Sequence, residues 1–251
     1  MAEIEFEVKD HIMHIYLNRP EKLNAFTLDM ISQFKSAIGK LRDDPNIWVG
    51  IISGRGRSFC TGIDLNYISL EQAAKIGEFY QSILIPKPII AAIHGYCLAQ
   101  GMGIALCSDI RIASEDAKFG WPQVKRGISS VSGPGLGSLF LPLGFIQEYL
   151  FTGEFMDAQT AYALHIVNKV VPLDKLIPTA EEYAYKICEN APLAVQGMKE
   201  ALLKCKFTID TNLDERLKQA GLVMERVLQT EDAKEGIKAF MEKRKPVWKA
   251  R

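Results

Sequence analysis

The chain opens with two short runs of alternating character. In the first, Ile4, Phe6 and Val8 share one side and Glu5 and Glu7 the other; after Lys9-Asp10, Ile12, His14 and Tyr16 alternate with Met13, Ile15 and Leu17. A period of two predicts a hairpin of two strands. From Thr27, a residue type that caps helix starts, the apolar positions Ile31, Phe34, Ile38 and Leu41 recur at helical spacing until Asp43-Asp44-Pro45 ends the run. Trp48 to Ile52, Ile89 to Ile93 and Ile110 to Ala113 read as further strands. Strands alternating with helical stretches predict the α/β class, with parallel strands wound with helices. From about Asp174 the pattern becomes mostly helical. Leu213, Leu217, Ala220, Met224 and Val227 form one apolar stripe, and Gln229-Thr230-Glu231-Asp232 separates it from a last helix through Phe240. Such a set is expected to be packing surface, for the core or for a neighbouring subunit.

Two turns rich in small residues interrupt this order. Ser58-Phe59-Cys60-Thr61-Gly62-Ile63-Asp64-Leu65 closely follows the strand that ends at Ile52. Gly62 has no Cβ and permits conformations closed to other residues, so the N–H of Ile63 is free to point at a bound group. Gly95 to Gly103 follows the strand that ends at Ile93 and leads into Ile104-Ala105-Leu106-Cys107, read as the first turns of a helix. Helix starts leave N–H groups unpaired and carry positive partial charge. Two such donors, if they converge, make an oxyanion hole. A third small-residue stretch, Gly133-Pro134-Gly135-Leu136-Gly137, fits neither the dinucleotide fingerprint nor the P-loop and reads as a turn leading into a helix.

Composition narrows the function classes. A chain of 251 residues accommodates one large core with a helical appendage. Thirty basic and thirty acidic residues leave no net charge, which gives no support to nucleic acid or an anionic membrane as partner. The five cysteines are odd in number and lack Cys-x-x-Cys spacing, so buried thiols are expected rather than a disulfide framework or a metal site. The first residues lack a signal-peptide pattern and no apolar run reaches membrane-spanning length, so the expectation is a soluble, cytoplasmic protein.

Several motifs then fall in a familiar order. Asn18-Arg19-Pro20 with Leu23-Asn24-Ala25, Phe59 to Leu65, His94-Gly95-Tyr96 through Ser108-Asp109, Phe119-Gly120-Trp121-Pro122 and the ending Phe240 to Pro246 resemble the successive signatures of the crotonase superfamily, the enoyl-CoA hydratases and isomerases. The resemblance implies a crotonase-like spiral of ββα repeats over residues 1–190 that carries the acyl-CoA site. Residues 191–251 would form a helical C-terminal region for packing into homotrimers or dimers of trimers. It implies an oxyanion hole made by the N–H groups of Ile63 and Gln100, with Gly101 as a substitute for the second. Lys22, Ala25, Asp64 and Leu65 would frame the coenzyme A portion of the substrate, and Lys243 and Lys245 would reach its phosphates. No separate cofactor is expected. The hydratases also use two glutamates. Counted without gaps from Gly95 through Asp109 to Gly120, those positions fall on Gly103 and Gln123, and a carboxylate of some isomerases and dehalogenases falls on Val131. None of the three is a proton carrier; Gln123 offers only hydrogen bonds.

Replacement groups are few. His94 and His165 sit in apolar surroundings and read as structural, and Asp64 reads first as a brace for its turn. Glu71, Glu78 and Tyr80 lie on the stretch after the first turn, where exposed helix surface is expected over pocket wall. Trp121 and Tyr96 read as core or wall. Ser129, Ser130 and Ser132 lack evident His and Asp partners for a triad, and Cys60 and Cys97 read as inert thiols. Two function classes follow. The first is an acyl-CoA enzyme working through a stabilised enolate, with decarboxylation favoured over hydration or isomerisation on a special enoyl-CoA by a relocated acid or base. The second is a non-catalytic acyl-CoA binding protein.

Overall fold

The computed structural model describes residues 2–66, 77–207, 221–222 and 224–251. Glu71, Leu213, Leu217 and Ala220 lie outside the described residues, as does the side chain of Phe240. The N-terminal hairpin is present: β1 (Ile4–Lys9) pairs antiparallel with β2 (Ile12–Leu17), Ile4 opposite Leu17 and Lys9 opposite Ile12. Asp10 and His11 turn the chain between them with φ of 49° and 68°, the left-handed pair that matches strand twist. The first strand's faces differ from the expectation. Ile4 is buried while Phe6 and Val8 are exposed, because β1 is the sheet's edge.

The rest of that sheet is parallel. β2, β3 (Val49–Gly54), β4 (Ile89–Ile93), β6 (Ile110–Ser114) and β9 (Lys169–Val171) lie side by side in that order. Three short strands, β5 (Tyr96–Leu98), β7 (Lys118–Gly120) and β8 (Phe155–Asp157), make a second sheet, with β5 parallel to β7 and β7 antiparallel to β8. The chain thus passes from one sheet to the other and then into a helix, as in β4, β5 and the helix after them: the expected ββα spiral.

Both faces of the large sheet are covered, which is why its strands read as continuous apolar runs. Met13, Ile15, Ile52 and Ala91 pack in one core with Met30, Phe34, Ile38 and Leu41 of α1 (Leu28–Asp43). Ile12, Val49, Ile51, Ile90 and Ile112 pack in a second core with Leu176, Ala180 and Ala184 on another helix. Thr27 caps α1 as expected, its hydroxyl accepting from the N–H of Met30 at 3.0 Å.

Among the described residues five more α-helices follow before the C-terminal set: α2 (Gly77–Ile83), α3 (Gln100–Cys107), α4 (Ser132–Leu136), α5 (Leu143–Thr152) and α6 (Ala158–Ala163). The C-terminal set includes α7 (Leu176–Cys188), which supplies the second core, α8 (Pro192–Phe207) and α9 (Glu231–Met241). α3 starts at Gln100, four residues before the expected Ile104. Glycine disfavours helices, but here it permits contact: a Cβ on Gly101 would meet the carbonyl oxygen of Cys60 at 2.5 Å. The strands β5, β7, β8 and β9 have three residues each, too few to show a period. Among the described residues no helix is long and apolar enough to cross a membrane.

Candidate active site

The two small-residue turns meet backbone to backbone. Cys60 donates to Tyr96 O at 2.9 Å and accepts from Leu98 N at 2.8 Å, which ties the first turn to β5. Gly62, at φ 122°, lies so near the second turn that a Cβ would stand 3.1 Å from Ala99 Cβ and 3.9 Å from Gln100 N. On its other side, Phe26 donates to Gly62 O and Asp64 donates to Phe26 O, both at 2.9 Å. That ladder alternates direction along the chain, so it turns the intervening N–H of Ile63 away from Phe26. Gln100 is the first residue of α3, where an N–H has no partner inside the helix. Neither N–H donates to another described residue. Ala99, which precedes it, holds φ 52° and ψ −104°, a backbone conformation rare for a residue with a Cβ.

Buried polar groups brace the first turn. Asn24, fully buried at φ 57°, accepts from Arg19 N at 2.8 Å and donates to Ser58 O at 2.8 Å and Arg55 O at 3.0 Å. The Arg19 guanidinium donates to Ala25 O at 2.9 Å and to the Asp64 carboxylate at 2.8 Å. Burial pushes the Asp64 carboxyl up, but hydrogen bonds from Arg19 and from the Asn66 N–H and side chain outweigh it and hold the group below the usual carboxylate range. The Asn18-Arg19-Pro20 and Leu23-Asn24-Ala25 motifs are therefore the frame of the turn. Asp64 is part of that frame.

Two cavities share Thr61, Ile63, Leu65 and Arg126 in their walls. The inner one, about 100 Å³, is walled by Gln100, Gln123 and Tyr80, by Val131, and by Ser129, Ser130 and Ser132. The outer groove, about 690 Å³, is lined by Lys22, Ala25, Asp64 and Leu65 with Tyr96 and Lys125 among others. Four of the six residues expected around coenzyme A thus share one groove, and Lys243 and Lys245 line neither cavity. Ile63, Gln100 and Gln123 share the inner cavity. Gly101 does not line it, which leaves Gln100 as the residue in place for the second donor.

The wall opposite these donors departs from expectation. Tyr80 is 6% exposed, a buried wall residue rather than helix surface, whereas Glu78 is exposed. A Cβ on Gly103 would fall within the Tyr80 ring, 2.6 Å from its hydroxyl oxygen and closer to two ring carbons. The ring occupies the space a side chain at 103 would need. Its hydroxyl donates to Gln100 Oε1 at 2.7 Å, and Ser132 lines the same cavity. Burial raises the phenol well above its ordinary value, so it stays protonated. Gln123 Nε2 donates to Ser130 Oγ at 3.3 Å; its Oε1, like Gln100 Nε2, is buried without a partner. Among the described residues no Asp, Glu or His lines the inner cavity. Helix spacing alone gave no sign of Tyr80 or Arg126; a signal for the former was a glycine where a side chain was due.

Other candidates resolve simply. His94 is buried with Nε2 2.9 Å from Gly56 O. Ser132 Oγ accepts from Trp121 Nε1 and donates to Ala99 O, both at 3.1 Å, and no histidine stands at it. Burial pushes the Cys60 thiol up to about 12 and the Cys97 thiol well above its usual value, so neither is a thiolate at neutral pH. Trp121 is core, and Tyr96 is exposed on the groove.

Comparison with known proteins places this geometry among relatives. The family model described as enoyl-CoA hydratase/isomerase matches residues 7–251. An (E)-benzylidenesuccinyl-CoA hydratase of Thauera aromatica is 34% identical over 255 residues, covering 98% of each chain. A carnitinyl-CoA dehydratase of Proteus mirabilis is 36% identical over 264 residues, covering 99% of this chain and 98% of the relative. Among solved structures, an enoyl-CoA hydratase from Mycobacterium marinum superposes with a TM-score of 0.93 at 32% identity, covering all of both chains.

Proposed function

Because the chain belongs to the enoyl-CoA hydratase/isomerase family, the crotonase superfamily, we propose that it is an acyl-CoA enzyme whose reaction runs through an enolate without a carboxylate base, with decarboxylation of a malonyl-type thioester the favoured case. Coenzyme A lies in the outer groove, its phosphates near Lys22, Lys125 and Arg126, and enters as part of the substrate. The acyl group lies in the inner cavity with its thioester oxygen between the N–H groups of Ile63 and Gln100. Two fixed donors aimed at a developing oxyanion are worth several kcal/mol, and removal of one costs roughly 2.7–4 kcal/mol.

The observation that carries this proposal is the neutral wall. Where the hydratases are expected to present two glutamates stand Gly103, its side-chain space taken by Tyr80, and Gln123, an amide. Loss of CO₂ needs no base: the Cα–carboxylate bond breaks, its electron pair becomes the enolate, and the hole stabilises the charge. Gln123, with an unpaired Oε1 and a partnered Nε2, orients the acyl group by hydrogen bonds. Exposed apolar side chains on the C-terminal helices, Met198, Leu202 and Met241, support their packing against further copies, as trimers require.

The test pairs two assays. Turnover of crotonyl-CoA, followed by loss of the conjugated thioester absorbance, is expected to be orders of magnitude below that of a true hydratase, with Gln123→Glu run alongside. CO₂ release from malonyl-CoA and methylmalonyl-CoA is expected to be the faster reaction. Hydration at hydratase-like rates would overturn the reading of Gly103 and Gln123. Binding of CoA thioesters with no turnover of any of them would favour the binding-protein alternative.

A further inference from the structure

Gly103 and Tyr80 form one unit: the glycine vacates a volume at the cavity wall and the phenol fills it. Three observations say that this unit is more than packing. Tyr80 lines the same cavity as Gln100, beside the space that Gly103 leaves. Its resting acceptor is the side chain of Gln100, the residue whose own N–H is assigned above as a donor to the thioester oxygen. The same amide keeps its Nε2 buried and unpartnered, so a half-turn about its last torsion presents a donor to the phenol oxygen in place of an acceptor. The Gln100 amide can therefore receive a hydrogen bond from the phenol or give one to a phenolate. Ser132 lines the same cavity as the phenol, and Ser130 Oγ stands 3.5 Å from Ser132 Oγ with Ser129 exposed next to it in the chain, a line of hydroxyls toward solvent.

Building on the enolate chemistry proposed above, we infer that Tyr80 is the catalytic acid that delivers the proton to Cα of the enolate, in the place a carboxylate would otherwise occupy. In this step the Tyr80 O–H bond breaks and a Cα–H bond forms. The enolate electron pair makes the new bond, the thioester carbonyl re-forms, and the phenolate is held by the turned Gln100 amide until solvent reprotonates it. A phenol suits this task, since it is a far stronger acid than the Cα–H bond it creates yet stays protonated while it waits. Delivery from a fixed side chain also fixes the face of Cα that is protonated.

The test uses methylmalonyl-CoA in D₂O, read at early turnover, because C2 of the deuterated propionyl-CoA product then records the face. Unaltered protein is expected to give one C2 configuration. Tyr80→Phe, which keeps the ring that fills the space beside Gly103, is expected to lower kcat roughly 10²-fold or more with KM nearly unchanged, and to give both configurations. A single configuration at an undiminished rate from Tyr80→Phe overturns the assignment of Tyr80 while leaving decarboxylation standing. If the unaltered protein releases no CO₂, decarboxylation falls, and the same variant is read on hydration of crotonyl-CoA in D₂O at C2 of the 3-hydroxybutyryl product. Loss of facial control there supports Tyr80, and its retention overturns it. Turnover of none of these thioesters overturns both inferences. A circular dichroism melt of Tyr80→Phe separates loss of the acid from loss of the fold.

Discussion

The two sides of the inner cavity are built from different material. One side is backbone: two turns pressed together through Gly62, Ala99 and Gly101, offering N–H groups that every residue but proline possesses. The other side is side chain: Tyr80, Gln123, Val131 and the serines. The backbone side brings Ile63 and Gln100, the donors that the family resemblance implies, to one cavity, and the three positions where it implies a carboxylate hold Gly103, Gln123 and Val131. Stabilising an oxyanion depends on where the chain passes. Moving a proton depends on which side chain stands there, and a few substitutions exchange it without disturbing the fold. The fold alone therefore does not specify the reaction.

The sharpest way to break this contrast is to spoil the backbone side. Gly62→Val places a branched side chain at φ 122° against Ala99. Turnover is expected to fall about 10²–10³-fold, the range seen when one oxyanion donor is lost, while calorimetric affinity for coenzyme A changes far less. An equal collapse of affinity would show that the turn serves binding rather than charge stabilisation. Next in size is Gly103→Ala, which forces a methyl into the Tyr80 ring. Overpacking of this kind costs about 1–3 kcal/mol, with roughly 2–4 °C of Tm per kcal/mol in a chain of this size. Tyr80→Ala in the same chain is expected to restore much of the loss, so a double-mutant cycle by thermal melts reads their coupling directly.

Smaller effects sharpen the distinction between frame and surface. Asp64 has its carboxyl held below the ordinary value in the folded protein, so its contribution to stability is fully present above the unfolded value of about 3.9 and is lost as pH falls through the folded one. Asp64→Asn is expected to be less stable at neutral pH and to lose less stability than the parent when denaturant melts are repeated below pH 4. The smallest change is expected for the exposed lysines. Lys22→Ala should weaken coenzyme A binding a few-fold, with a salt dependence, as for one screened surface charge. Lys245→Ala should leave affinity near its starting value in a lone chain; a clear loss would mean that a second copy carries this residue to the groove.

The fold was legible where the pattern ran long. Thr27 and the spacing through Leu41 mark α1 because a long helix repeats its signal, and the parallel strands announce themselves because burial on both faces makes them continuously apolar. β5, β7, β8 and β9 stayed hidden because three residues hold no period. Gln100 and Gly101 read as turn because local propensity opposes helix there, and the contact with Cys60 that overrides it is tertiary. The donors of the candidate hole were placed by their turns, which are local. Tyr80 was not, since what distinguishes it from helix surface is the vacancy at Gly103, twenty-three positions away in the chain and in contact only after folding. Arg126 escaped for the same reason: its position at the wall common to both cavities depends on how two distant segments meet.

Ala99 gives the site a mechanical character. Its φ of 52° and ψ of −104° put an ordinary residue in a region that costs of order 1–3 kcal/mol to occupy, and its neighbours hold it there: its N–H donates to Gly120, and its carbonyl accepts from Gly103 and Ser132. The first turn of α3 is thus a preloaded support, with tension on one side and three fastenings on the other. Ala99→Gly would release the tension and leave the fastenings, giving a more stable protein. The fastenings are what keep the Gln100 donor aimed, against a strain that the alanine itself supplies.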